Sequence, residues 1–177
     1  MSQTSPETMP PACRIRGFAW IPNEHGDILT VLVNAGRGDG YHLLPGGPAG
    51  DYESSLISMA YSVRHQTGIE PVPLGLLGTD WVPRFPAELG IEAMGQDFVY
   101  LCAQVSSDTD INPPRAPEGG ELEVSGYAWL NPETARTCMS PDQYRRFRWM
   151  WSAWRSSSII VLQGGRPALG EARGARL

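Results

Sequence analysis

Short apolar blocks separated by turn residues dominate the chain, and only a few segments carry the longer helical period. Arg14–Trp20 and Ile28–Val33 have strand character, and the turn residues Asn23–Asp27 between them predict a hairpin. Tyr41–Leu44 predicts another short strand, ending at the sharp loop Pro45-Gly46-Gly47-Pro48. Glu53–Thr67 reads as an amphipathic helix, because Leu56, Ala60 and Val63 repeat at i, i+4 and i+7. Asp51 stands where an N-cap belongs, and Gly68, followed by Pro71 and Pro73, stops the helix. Further strands are expected at Leu74–Val82, Gln96–Val105 and Glu123–Leu130. Asn131-Pro132-Glu133 opens a short helix with Asn as cap and Pro in the first turn. Pro141–Arg155 predicts a second late helix, with Tyr144, Phe147, Trp151 and Trp154 packed on the sheet and Arg145, Arg146, Arg148 and Arg155 in water. Trp149 falls off that stripe, which places it in a dimer contact or in a pocket wall. Ile159–Leu162 reads as a final strand.

Mixed strands, one strong central helix and helices toward the end predict an α+β sandwich. Residues 13–163 are expected to form a single domain, with a flexible leader at 1–12 and a flexible tail at 164–177. Ser106–Glu121, rich in Ser, Asp, Pro and Gly, is longer than an ordinary connection and reads as a functional lid or a disordered stretch.

Composition narrows the function. At 177 residues with 41% apolar content the chain can bury a real core. No stretch reaches the roughly 18 apolar residues of a membrane span, and Met1–Ala12 lacks a basic-then-apolar pattern, so the expectation is a cytoplasmic protein without a membrane partner. A net charge of −5 disfavours nucleic acid held through its phosphates. Cys13, Cys102 and Cys138 are odd in number and widely spaced, which argues against a disulfide framework or a zinc knuckle; Cys102 reads as a small core residue. All 14 basic residues are arginine, so Schiff-base chemistry and P-loop phosphate binding, which need lysine, are excluded. The absence of lysine, with abundant Gly, Pro and Ala, is a compositional bias associated with GC-rich genomes such as those of actinobacteria.

The window Gly47–Ile69 resembles the signature of the Nudix hydrolase superfamily, Gly-x5-Glu-x7-Arg-Glu-U-x-Glu-Glu-x-Gly-U, where U is a bulky aliphatic residue. Gly47, Glu53, Val63, Gly68 and Ile69 fall in register, and Leu44-Pro45-Gly46-Gly47 is similar to the usual lead-in. Asp80-Trp81-Val82, Gly126–Leu130 and Gly164-Gly165-Arg166-Pro167 resemble later segments of actinobacterial members. The resemblance implies a Nudix-type α/β/α sandwich with a mixed central sheet. In family members the helix carboxylates hold magnesium, which neutralises a diphosphate while water attacks phosphorus. Here the box is degenerate: Tyr61 replaces the arginine, Ser62 replaces the glutamate beside it, and His65 and Gln66 replace the paired glutamates. Of four motif glutamates only Glu53 remains, so little is left to attract a hard cation, and no metal or cofactor is expected.

Candidate roles follow. Glu53 serves either as a metal ligand or base, or as a helix-start carboxylate favoured by the dipole and bonded to Tyr61. His65, on the face opposite Leu56 and Ala60, is either a general base working with Glu53 or a solvated histidine. Tyr61, Ser62 and Gln66 are read either as a neutral, hydrogen-bonding cleft floor, with Tyr61 and Ser62 supporting the acid–base pair, or as ordinary surface residues; Gly46, Gly47 and Gln66 are the expected ligand contacts. Asp97, Glu118, Glu121 and Glu123 are the acids expected to approach that cleft from the second half of the chain. Trp20, Trp81, Phe85 and Trp129 are read as core before they are read as stacking platforms. Three functions remain open: a Nudix-fold protein binding or transforming a small molecule, with a biosynthetic role as one form; a magnesium- or manganese-dependent hydrolase of a nucleoside diphosphate linked to another moiety; and a non-catalytic regulatory or partner-binding protein, a homodimer included.

Overall fold

The computed structural model describes residues 13–33, 40–83, 94–112 and 124–168. The elements run β1 (Cys13–Trp20), β2 (Ile28–Val33), β3 (Tyr41–Leu43), β4 (Gly46–Pro48), α1 (Ser55–Thr67), β5 (Pro73–Val82), β6 (Met94–Cys102), β7 (Val124–Leu130), α2 (Pro132–Cys138), α3 (Pro141–Arg155), β8 (Ile160–Gln163) and β9 (Arg166–Pro167). A mixed sheet has the order β4-β1-β6-β5-β8-β9, and a second, antiparallel sheet the order β3-β2-β7. The chain does turn back as a hairpin between the two strands, with Pro22 bridging Ile28, Leu29 N–H donating to Ile21 O and Asn23 N–H to Asp27 O, but β1 and β2 themselves part into different sheets. Asn23 shapes the turn between them, its side-chain oxygen accepting the N–H groups of His25 and Asp27.

Side chains alternate across a strand, and β1 uses this to join two cores. Trp20 faces one with Leu77, Val99, Phe147, Met150 and Leu162 under α2 and α3, while Ala19 faces the other with Met59, Val63 and Cys102 under α1. Each large side chain so buried contributes about 1.5–3 kcal/mol. Trp20 is fully buried and Trp129 packs on the α1 core, as the core reading expects; Phe85 lies outside the described residues.

Helix α1 starts later than its pattern suggests. Tyr52 takes φ 65, which breaks a helical run, so Ser54 rather than Asp51 is the N-cap, its hydroxyl accepting from Ile57 N–H. Glu53 therefore precedes the helix. Gly68 ends it in the left-handed region at φ 75, its N–H bonded to Arg64 O. The buried face also differs: Ser55, Ser58, Met59, Val63, Gln66 and Thr67 point inward, while Leu56 is 39% exposed. The cause is contact distance. A Cβ on Gly17 of β1 would stand 1.8 Å from the Ser55 carbonyl oxygen, so the helix backbone lies on the strand, with Ser55, Ser58 and Gln66 buried there beside Met59 and Val63. Apolar periodicity selects the wrong stripe where a helix docks through serines.

On the other side, α3 buries Phe147, Met150 and Ala153, and also Arg146, which was expected in water. Arg146 bonds Asp80 at 2.8 Å and Asp97 at 2.8 Å. Arg16 grips Asp97 from β1 at 2.6 and 2.9 Å, and Gly165 N–H donates to Asp80 at 3.1 Å. Both aspartates are fully buried. Asp97 is thus a structural anion locked in the sheet, not an acid approaching a cleft. The same network ties Asp80 to the Gly164–Pro167 turn, and β9 pairs with β8, so the fold continues past 163 into the segment expected as a tail. No helix among the described residues is long and apolar enough to cross a membrane.

Candidate functional site

Strand β4 lies against α1, and the contact is made by neutral groups. Gly46 N–H donates to Gln66 Oε1 at 2.9 Å, and Gln66 Nε2 donates back to the Gly46 carbonyl at 2.9 Å. All four atoms are buried, and Gln66 is 5% exposed. About two turns earlier, Ser58 Oγ reaches the carbonyls of Gly47 at 3.1 Å and Pro48 at 2.8 Å. A Cβ on Gly47 would stand 2.6 Å from Ser62 Oγ, which would have to turn aside, and one on Gly46, at φ 152, would stand 2.2 Å from the Gly17 carbonyl oxygen, so glycine is needed at 46 for strand and helix to close this far. Gly46, Gly47, Ser62 and Gln66 therefore meet in one place, but Gln66, expected as a ligand contact, is buried with both ends of its amide bonded to Gly46.

The remaining candidates are arranged differently. Glu53 accepts Gly50 N–H at 2.9 Å, while its own N–H donates to Gly50 O at 3.1 Å. Its carboxylate closes the loop before the helix and, among the described residues, makes no bond to Tyr61 or His65. Tyr61 is 69% exposed and its ring stacks on that of His65, with centroids 6.0 Å apart and planes 16° from parallel. Glu118, Glu121 and Glu123 lie outside the described residues.

A second polar constellation escaped the sequence reading. Thr30, fully buried on β2, donates its hydroxyl proton to Ala128 O at 2.9 Å. A hydroxyl has one proton, so while Thr30 donates to Ala128 O, the 3.0 Å contact with His42 Nδ1 is made by a histidine N–H, the Nδ1–H tautomer, with Nε2 as acceptor. Burial lowers the pKa of His42 below its ordinary 6.5, so the neutral ring is favoured. The one signal in the sequence is a threonine inside the apolar run Ile28–Val33, opposite a histidine in a short strand.

The arrangement of helix, glycine strand and mixed sheet recurs in solved structures. The MutT protein from Methanosarcina mazei Go1 matches with TM-score 0.62 and 23% identity, over 85% of this chain and 99% of its own. A Nudix hydrolase from Nitrosomonas europaea matches with TM-score 0.61 and 15% identity, over 83% and 91%. The Nudix domain of Shewanella oneidensis NrtR, solved with ADP ribose, matches with TM-score 0.61 and 16% identity, over 88% and 94%. The chain has the Nudix fold. No family model matches the sequence, and neither does any curated protein.

In the Nudix fold the box supplies a hard-cation site, and the described box positions of this chain bring one carboxylate, Glu53, toward it. Magnesium takes oxygen ligands, chiefly carboxylates, in near-octahedral geometry. Ser62, His65 and Gln66 bring no negative charge, and the Gly46 carbonyl already receives Gln66 Nε2. The remaining box glutamate, Glu53, is engaged by Gly50. Among the described residues no three His, Cys, Asp or Glu side chains gather as a metal site.

Proposed function

We propose that this Nudix-fold protein binds or transforms a small molecule in its cleft through hydrogen bonding, with magnesium-dependent diphosphate hydrolysis lost or replaced by other chemistry. One observation carries the reading: the Gln66 amide satisfies both backbone groups of Gly46, so strand and helix are joined without a cation. A glutamate there accepts from the N–H but has no proton for the carbonyl. The ADP ribose bound by the Nudix domain of NrtR supports a small-molecule ligand for this fold. Glu53 and His65 are the acid–base candidates of this reading. Tyr61 stacks on His65, and Ser62 lies against Gly47.

The test is turnover of a panel of nucleotide sugars and dinucleotides with Mg²⁺ or Mn²⁺, alongside calorimetric titration of each ion. The reading expects no turnover above background and no tight ion binding. Hydrolysis that Glu53→Gln abolishes would overturn it in favour of a metal-dependent diphosphate hydrolase that recruits Glu118 or Glu121. A protein in which Glu53→Gln and His65→Ala change nothing in the cell, while Trp149→Ala does, is a partner-binding module instead.

A further inference from the structure

The outer face of α3 carries a feature the cleft reading leaves unused. Pro141, Tyr144, Arg145, Arg148, Trp149 and Ser152 line a surface cavity of about 330 Å³. Small-molecule sites span roughly 300–1,000 Å³, so this space suits a compact ligand rather than a dinucleotide. Trp149, off the buried stripe of its helix, is one wall of it.

The charges of α3 are unevenly spent. Arg146 is neutralised by Asp80 and Asp97, and Arg145 by Asp142 at 3.0 Å. Arg148 has no carboxylate partner and no hydrogen bond among the described residues; its one contact is the Tyr144 ring, 5.9 Å from guanidinium to centroid. The Trp149 indole N–H and the Ser152 hydroxyl are likewise without a hydrogen-bond partner among the described residues. Among the described residues the lining thus offers donors and the guanidinium of Arg148, with the Asp142 carboxylate held by Arg145 beside it, on a chain whose net charge is −5. Against that background a persistent local positive site selects for oxyanions, which guanidinium forks bind in bidentate fashion. Tyr144 and Trp149 add aromatic faces for a planar group.

We infer that this groove binds a small aromatic oxyanion of the nucleoside monophosphate type, with Arg148 holding the phosphate and Trp149 stacking on the ring. The site is separate from the β4–α1 contact and its failure leaves the cleft reading untouched.

The test follows the indole N–H resonances of the whole protein by NMR, with Trp149 assigned through Trp149→Phe. Adenosine monophosphate, adenosine and inorganic phosphate are titrated separately to millimolar concentration. The inference expects a saturable shift of the Trp149 signal by the monophosphate, with adenosine and phosphate each weaker. Because a charge-assisted hydrogen bond is worth ~1.5–3 kcal/mol, Arg148→Gln should weaken binding about tenfold or more. Arg148 is exposed, so this variant should melt with the wild type. Equal binding of adenosine, equal binding of phosphate, insensitivity to Arg148→Gln, or no shift of Trp149 would each overturn the inference. A shift abolished by Gln66→Ala but not by Arg148→Gln would place the ligand in the cleft and overturn it too.

Discussion

Removing the Gln66 amide tests the physical basis of the proposed function directly. Gln66→Ala leaves the N–H and the carbonyl of Gly46 buried without their partners. An unsatisfied buried backbone group costs about 1–3 kcal/mol, and two such groups with the lost side-chain packing give a destabilisation of about 3–5 kcal/mol. At this chain length each kcal/mol moves the thermal midpoint by ~2–4 °C, so a loss on the order of 10 °C is expected. Gln66→Glu separates the two bonds. Its carboxylate still accepts the Gly46 N–H, but when ionised it faces the Gly46 carbonyl oxygen with no proton between them.

The glutamate variant also predicts the sign of a pH dependence. Protonation restores a donor toward Gly46 O, so its folded-state pKa lies above that of an unfolded glutamate, about 4.3. The bond's contribution is then fully present below that value and lost as pH rises through the folded pKa. Urea unfolding across acidic and neutral pH should show Gln66→Glu approaching the wild type in acid and falling behind it at neutral pH. A Gln66→Ala midpoint indistinguishable from wild type, or a Gln66→Glu deficit independent of pH, would refute the argument that this amide holds helix to strand.

Three further outcomes are expected. Arg146→Met strips a guanidinium from two fully buried aspartates; breaking such a network costs about 3–5 kcal/mol, measurable by urea unfolding at neutral pH. Glu24 bonds the N–H and hydroxyl of Ser107, chiefly the hydroxyl, which lowers its pKa from 4.5 to about 2. Its contribution is present above 4.5 and lost as pH falls toward 2, a loss that Glu24→Gln should remove from the acid titration. His42, held neutral by burial, destabilises the fold as pH drops below 6.5, where the unfolded histidine takes up its proton first. Histidine ¹⁵N shifts should report the Nδ1–H tautomer, and Thr30→Val should abolish that preference.

Element positions were largely legible, because strand and helix periods and caps are local. The turn at Asn23, the Gly68 stop and the limits of Pro141–Arg155 all follow from nearby residues. What failed was non-local. Nothing near Asn23–Asp27 says that β1 and β2 belong to different sheets; that is decided by β6 and β7, which lie far along the chain. The inward face of α1 is set by a glycine in β1, and Arg146 is drawn inside by two aspartates on neighbouring strands. Of the candidate site, the box register placed Gly46, Gly47, Ser62 and Gln66 together. It did not reveal that Glu53 accepts the Gly50 N–H, nor the Thr30–His42 pair, since a hydrogen-bond partner is a property of the folded chain.

On the proposed reading Tyr61, Ser62, His65 and Gln66 act as a set, and restoring the signature residues there tests that reading. Gln66→Glu alone removes a donor and brings the box to two carboxylates, Glu53 and the new one, with serine and histidine at the remaining positions, too few to hold a hard ion tightly. Adding Ser62→Glu and His65→Glu gathers carboxylates on one helix, where like charges repel; Tyr61→Arg relieves part of this through charge-assisted bonds. The fourfold variant should therefore be less stable than wild type in chelator and regain stability with magnesium in proportion to ion concentration. Wild type and each single variant should ignore the ion. Energies that fail to add across the set are the expected signature of such coupling. A fourfold variant whose midpoint magnesium does not raise would show that neutralised side chains were not what separated this cleft from a hydrolytic one.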